Sequence, residues 1–169
     1  MMLEGRILKL GDSINTDIIY PGRFSPITDP EEMAKHAFQG ISDDFPSRIE
    51  KNCFIVAGTN FGCGSSREQA VICLKYAGVA GVIAKGFARI FFRNAINQGF
   101  PVITCADAVN KISDGEIITV DFAGGKITTA TEEFSFPSLP PFIMGIIEAG
   151  GLINYTKIAL KKQEEKRIG

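Results

Sequence analysis

Between residues 53 and 104, short apolar runs alternate with helical stripes, and that order restricts the fold more than any other feature of the chain. Residues 53–57 are β-branched, aromatic or small, which suits a strand buried on both faces. Residues 66–77 then place Ala70, Cys73, Leu74 and Ala77 on one helical face, and Gly78 stops that helix. Residues 81–84 read as a second strand, 87–98 as a helix closed by Gly99, and 101–104 as a third strand. Strand, helix, strand, helix, strand is the order of parallel strands joined by crossover helices, an α/β arrangement.

The flanks are less regular. Residues 4–10 predict a first strand, and residues 11–28 a long polar loop with Pro21, Gly22 and Pro26. A loop of that length in a compact domain usually has a task. Asp29-Pro30-Glu31-Glu32 predicts a helix start, with Asp29 as N-cap and the helix running to about Phe38 before Gly40. Residues 117–122 and 126–130 predict a hairpin, 140–149 a helix, and the break at Gly150-Gly151 introduces another. Residues 161–169 are charged and expected to fray. The length of 169 residues suits a single domain, 1–169, with a C-terminal helical segment.

Composition narrows the function. With 45% hydrophobic residues and a net charge of −1, the chain can build a core and has no basic excess for nucleic acid. No apolar run nears the roughly 18 residues of a membrane span. The start, Met1 to Arg6, lacks the layout of a signal peptide. The four cysteines, Cys53, Cys63, Cys73 and Cys105, form no C-x-x-C pair, and the chain has one histidine. A self-contained metal site is therefore not expected. Cys53 and Cys73 lie in apolar patterns and read as core residues, so a reducing cytoplasmic setting is expected.

The chemistry concentrates in residues 58–68, Gly-Thr-Asn-Phe-Gly-Cys-Gly-Ser-Ser-Arg-Glu. Glycines permit tight turns and close approach to a ligand. Arg67 carries a planar fork suited to a carboxylate. The run is neither a P-loop nor a complete G-x-G-x-x-G, so a nucleotide is not indicated. Ser65 has two readings. With Glu68 three residues on, it fits a capping box. Alternatively it serves as a base, which requires N–H groups and Arg67 to stabilise its alkoxide. His36 falls late in the helix begun at Pro30, where the dipole favours a cation. Asn15-Thr16-Asp17 and Pro21-Gly22-Arg23 suit turns, and Arg89 and Arg93 share a basic helix face.

Taken together, several segments in fixed order resemble a known family. They are Asn15-Thr16-Asp17, Pro21-Gly22-Arg23, Thr28-Asp29-Pro30-Glu31, Asn60 through Glu68, Phe87-Ala88-Arg89-Ile90-Phe91 and Arg93-Asn94-Ala95-Ile96-Asn97. On these the chain resembles the small subunits of isopropylmalate dehydratase and homoaconitase, in the aconitase superfamily. The resemblance spans most of residues 4–165 and implies the swivelling β/β/α three-layer domain. It implies a large-subunit partner that carries a 4Fe-4S cluster, no metal in this chain, and reversible dehydration of a small dicarboxylate. It assigns Ser65 as catalytic base and Asp17 as a second active-site residue. Ser66 and Arg67 become substrate contacts, and Arg23, Phe24, Ser25, Pro26 and Ile27 the substrate-selecting loop.

Two departures bear on the substrate and the site. Gln69 stands where the family usually has histidine. Pro26 stands where homoaconitases have arginine, so a third carboxylate would be unpaired, while Phe24 and Ile27 suit an alkyl group. Isopropylmalate, and with it leucine biosynthesis, is the leading expectation. Another alkylmalate or homoaconitate is the alternative, and a non-catalytic carboxylate-binding module is the alternative of a different class.

Overall fold

A computed structural model of the chain describes residues 1–168. Its strands are β1 (Met2–Lys9), β2 (Phe54–Ala57), β3 (Gly81–Ala84), β4 (Val102–Thr104), β5 (Ile117–Asp121), β6 (Lys126–Thr128) and β7 (Glu133–Ser135). All seven join one sheet in the order β4-β3-β2-β1-β5-β6-β7. The helices are α1 (Thr16–Ile19), α2 (Pro30–Ala34), α3 (Gln69–Tyr76), α4 (Arg89–Asn97), α5 (Ala106–Lys111), α6 (Pro141–Glu148) and α7 (Leu152–Ile168).

The expected parallel unit is present. β1, β2, β3 and β4 pair in parallel, with α3 and α4 as crossovers. β1 is shared between two halves of the sheet. Its residues 2–6 pair antiparallel with β5, while Ile7, Leu8 and Lys9 run parallel to β2. β2 and β3 are buried along their whole length. Alternate side chains therefore feed two cores. Leu8, Ile55, Ala57, Val82 and Ala84 pack with Val71 and Leu74 of α3 and Phe91 of α4. Ile7, Phe54, Val56 and Ile83 pack on the other side with Val109, Ile118, Val120 and Ile127.

The helix ends follow tertiary bonds where these compete with local pattern. α2 stops at Ala34, short of the expected Phe38. Phe38 instead takes a left-handed φ of +60° and donates its N–H to Ile19 O, and Gly40 donates to Ile18 O. Asp29 precedes α2 but its side chain makes no capping bond, contrary to expectation. α3 begins at Gln69, three residues later than the pattern suggests. Three elements were not anticipated: α1, α5 and β7. α1 is capped by Asn15, whose Oδ1 accepts from Ile18 N at 2.9 Å. α7 extends across the charged segment expected to fray, and Gly169 lies outside the described residues. Lys75, in the last turn of α3, donates to Gln98 O at 2.6 Å and Gly150 O at 2.9 Å. It ties the C-terminal ends of three helices together, and its burial lowers the ammonium pKa.

Candidate active site

The site grows from the C-terminal ends of the parallel neighbours β1 and β2. Beyond the strands their two loops stay paired. Gly58 N donates to Gly11 O at 3.0 Å, Ser13 N to Thr59 O at 2.8 Å, Gly62 N to Ile14 O at 2.8 Å and Thr16 N to Cys63 O at 2.8 Å. Asp12 Oδ1 fastens the same pair of loops by accepting from Thr59 N at 2.6 Å and Thr59 Oγ1 at 3.0 Å. Those bonds hold the Asp12 carboxyl below its ordinary pKa. The motif Asn15-Thr16-Asp17 is thereby laid beside Cys63-Gly64-Ser65, although about 50 residues separate them in sequence.

The glycine loop is held from behind by aromatic packing. Gly62 has φ +77°, and a side chain there would run into Phe91 of α4. The ring of Phe61 meets Phe91 edge-on at 5.2 Å between centroids. Phe61 also takes part in a short parallel bridge with Phe87, through Phe61 N to Gly86 O and Ala88 N to Phe61 O.

With the backbone so fixed, Ser65 and Ser66 are exposed. The oxygen Thr16 Oγ1 lies 3.0 Å from Ser65 O and 3.3 Å from Ser65 Oγ. The capping-box reading of Ser65 is ruled out. α3 starts at Gln69 with Glu68 as its N-cap residue and no side-chain cap bond. The Glu68 carboxylate instead accepts from Gln98 Nε2 at 2.6 Å.

Arg67 is the most buried charged group of the loop, its side chain 21% exposed. Its Nη1 donates to Asp17 Oδ1 at 2.5 Å and to Tyr20 O at 3.1 Å. Asp17 Oδ1 also accepts from Gly22 N at 3.3 Å. The Arg67 bond holds the Asp17 carboxyl below its ordinary value, so Asp17 is ionised at neutral pH. The structure thus brings Ser65, Ser66, Arg67 and Asp17 to one surface.

The loop 23–27 divides. Phe24 is half-buried, stacked on His36 at 3.8 Å and 14°, and its carbonyl accepts from Tyr20 Oη at 2.8 Å. Ile27 is also half-buried against the core. Arg23, Ser25 and Pro26 are exposed. Arg23 lies over the Phe24 ring at 4.7 Å and bonds Asp43 at 3.3 Å. His36 falls beyond the end of α2 rather than late in it, and its Nδ1 meets Gln39 Oε1 at 2.9 Å.

Arg89 and Arg93, read above as a solvated basic face, are exposed but border the same loop. With Asn60, Gly62, Gly64, Ala88 and Ile90 they line a cavity of about 480 Å³. A larger cavity of about 630 Å³, between α5 and β7, includes none of the loop residues. All four cysteines are free thiols. Cys53 and Cys73 are buried; burial pushes the Cys53 thiol up to about 11 and that of Cys73 further. Cys63 is half-exposed, 3.6 Å from Ser13 O. Among the described residues no three His, Cys, Asp or Glu side chains converge as metal ligands. Nor is any helix there long and apolar enough to cross a membrane.

Residues 13–108, which contain Asn15-Thr16-Asp17 and the whole glycine loop, match the aconitase C-terminal domain family, and the chain belongs to that family. Within it the similarity is to one kind of subunit. The 3-isopropylmalate dehydratase small subunit of Halothermothrix orenii is 45% identical over 163 residues, covering 95% of this chain and 99% of that one. The 3-isopropylmalate dehydratase small subunit 1 of Archaeoglobus fulgidus is 48% identical over 155 residues, covering 90% and 96%. The crystal structure of 3-isopropylmalate dehydratase from Methanocaldococcus jannaschii matches with a TM-score of 0.92 at 43% identity, over 98% of this chain and 99% of that one. Aconitase X of Thermococcus kodakaraensis, at 18% identity and a TM-score of 0.52 over 76% and 90%, shares the fold alone. The family resemblance read from the motifs is upheld, and with it the α/β fold.

Proposed function

We propose that this chain is the small subunit of a two-component hydro-lyase, a 3-isopropylmalate dehydratase acting in leucine biosynthesis in the cytoplasm. The near full-length identity to small subunits of that name supports the assignment. The single observation in the molecule that carries it is the exposed Ser65 hydroxyl. It stands two residues from Arg67, which Asp17 and Tyr20 hold in place, in the exposed stretch Gly64-Ser65-Ser66 of the loop.

Arg67 receives a substrate carboxylate. Its Nη1 is committed to Asp17 and Tyr20, and the rest of the fork is left for the ligand. Asp17 keeps the guanidinium in place, and Ser66 offers a hydroxyl next to it. Ser65 takes the proton from the carbon next to a carboxylate. With Ser65 as the alkoxide, that C–H bond breaks, an O–H bond forms on Ser65, and the electron pair becomes the new C=C bond as hydroxide leaves the neighbouring carbon; taking up that hydroxide is the Lewis-acid chemistry the partner's cluster would supply. Rehydration in the opposite sense completes the isomerisation.

The cluster belonging to this chemistry does not fit this chain. Two thiols are sealed in the core with raised pKa values, and the cysteines do not converge. We assign the 4Fe-4S cluster to a large subunit, which must seat itself against the glycine loop. Residues 1–169 act as one swivelling domain in that complex. In the selecting loop Pro26 is uncharged where homoaconitases have arginine, which favours an alkyl-substituted dicarboxylate over a tricarboxylate. Reconstitution tests the proposal. Assembled with a cluster-bearing large subunit, the chain turns over isopropylmalate, and Ser65→Ala in the same complex loses activity by about 100-fold or more. Near-normal turnover by that variant removes Ser65 as the base.

A further inference from the structure

Thr16 is the single polar or charged residue in the buried class among the described residues, 2% exposed. Its backbone is fully engaged. The N–H goes to Cys63 O, and its carbonyl accepts from Tyr20 N at 2.9 Å. Its hydroxyl, 49 residues away in sequence, meets Ser65 twice, at the carbonyl oxygen and at Oγ.

A hydroxyl carries one proton. The Ser65 carbonyl has none to give, so the Thr16 proton goes to it. The Ser65 hydroxyl is then the donor in the contact between the two side-chain oxygens. When Ser65 passes that proton to the substrate carbon in the rehydration direction, its O–H bond breaking as the C–H bond forms, no proton stands between the two lone-pair-bearing oxygens. A rotation about the Cβ–Oγ1 bond of Thr16 turns its proton onto the alkoxide. No backbone need move. The donor comes from a buried, β-branched side chain whose χ1 is stiff and whose helix α1 is capped by Asn15. A preorganised donor of this kind favours the charged form of its partner more than water does.

We propose that Thr16 is a positioning residue for the base: it holds the neutral Ser65 hydroxyl in place and donates to the alkoxide. This rests on Ser65 being the base. Serine at position 16 would keep the hydroxyl and drop the methyl, whereas valine would keep the shape and drop the hydroxyl. The two variants therefore separate hydrogen bonding from packing.

The test uses the complex reconstituted with its large subunit and cluster, and substrate deuterated at the carbon that gives up its proton. Thr16→Val is expected to lower kcat by about 10- to 100-fold with KM within about twofold, and to raise the isotope effect on kcat. Thr16→Ser is expected to stay within about threefold of the parent. Parent-like turnover and isotope effect in Thr16→Val overturn the inference. So do equal losses in both variants, because packing would then be the cause. Should Thr16→Val not fold, Thr16→Ala replaces it with the same expected result; failure of both to fold gives Thr16 a purely structural part and overturns the inference. Ser65→Ala is run alongside. If it is active, the base assignment itself falls and Thr16 with it. If it is inactive while Thr16→Val is normal, only the role of Thr16 falls.

Discussion

Replacing Gly62 by alanine should damage this protein more than its size suggests. Gly62 has φ +77°, where an L-residue bears a strain of about 1–2 kcal/mol. The added methyl would also lie 2.6 Å from Phe91 Cδ2 and closer still to Phe91 Cβ and Cγ. Phe91 has little room to retreat. It is 2% exposed, with Phe61 edge-on at 5.2 Å and Phe87 stacked at 6.4 Å. Overpacking of a filled core adds about 1–3 kcal/mol. The total of about 2–5 kcal/mol corresponds to a fall in Tm of about 4–20 °C for a domain of this size. Circular-dichroism melts of the isolated chain, checked by urea midpoints at constant m, measure it. Gly86→Ala is the internal control, because a Cβ at Gly86 meets nothing within 4 Å. A Gly62→Ala chain that melts within about 2 °C of the parent refutes the claim that Phe91 and the left-handed turn together fix the glycine loop.

Two more predictions follow from the site. The Asp17 carboxyl should titrate below 3.8 in a carbon-detected NMR titration, because Arg67 donates to its ionised form. Its folded pKa lies below its unfolded one, so the pair's stabilisation is complete above about pH 4 and is lost as acid protonates Asp17. Asp17→Asn should accordingly weaken the acid dependence of stability in that range, and a midpoint at or above 3.8 refutes the pairing. Alkylation of the native chain by iodoacetamide should label Cys63 well before Cys53 and Cys73, which become reactive only on unfolding. Mass spectrometry of the digested protein decides it, and early labelling of Cys73 contradicts the burial.

The parts of this molecule governed by local pattern were readable from the residues. β3 and the hinge between α6 and α7 fall where the apolar run at 81–84 and Gly150-Gly151 put them. The glycine loop was readable for the same reason, since its turn-forming residues, serines and arginine are contiguous. What depended on distant partners was not. α2 ends early because Ile19 O captures the N–H of Phe38, a bond no window around residue 30 contains. α1 is a helix of four residues whose Asn15-Thr16-Asp17 start looks like an ordinary turn. The part played by Thr16 was hidden because its partner is Ser65, and only the pairing of the two loops joins them. The family resemblance places Phe24 and Ile27 in the substrate-selecting loop and their hydrophobicity suits an alkyl group, but neither says which way a side chain faces; both are half-buried against the core.

The shared strand β1 also sets a timetable for the growing polypeptide. It is made before both of its neighbours in the sheet, since its parallel partner begins at Phe54 and its antiparallel partner at Ile117. Until β5 has been made, Met2–Lys9 therefore keeps at least one edge bare, open to pairing with any other extended segment nearby. Ser65 and Thr16 can come together once β2 has docked, long before that edge is closed. The surface that bears Ser65 can thus form early in synthesis, on a sheet that is finished late.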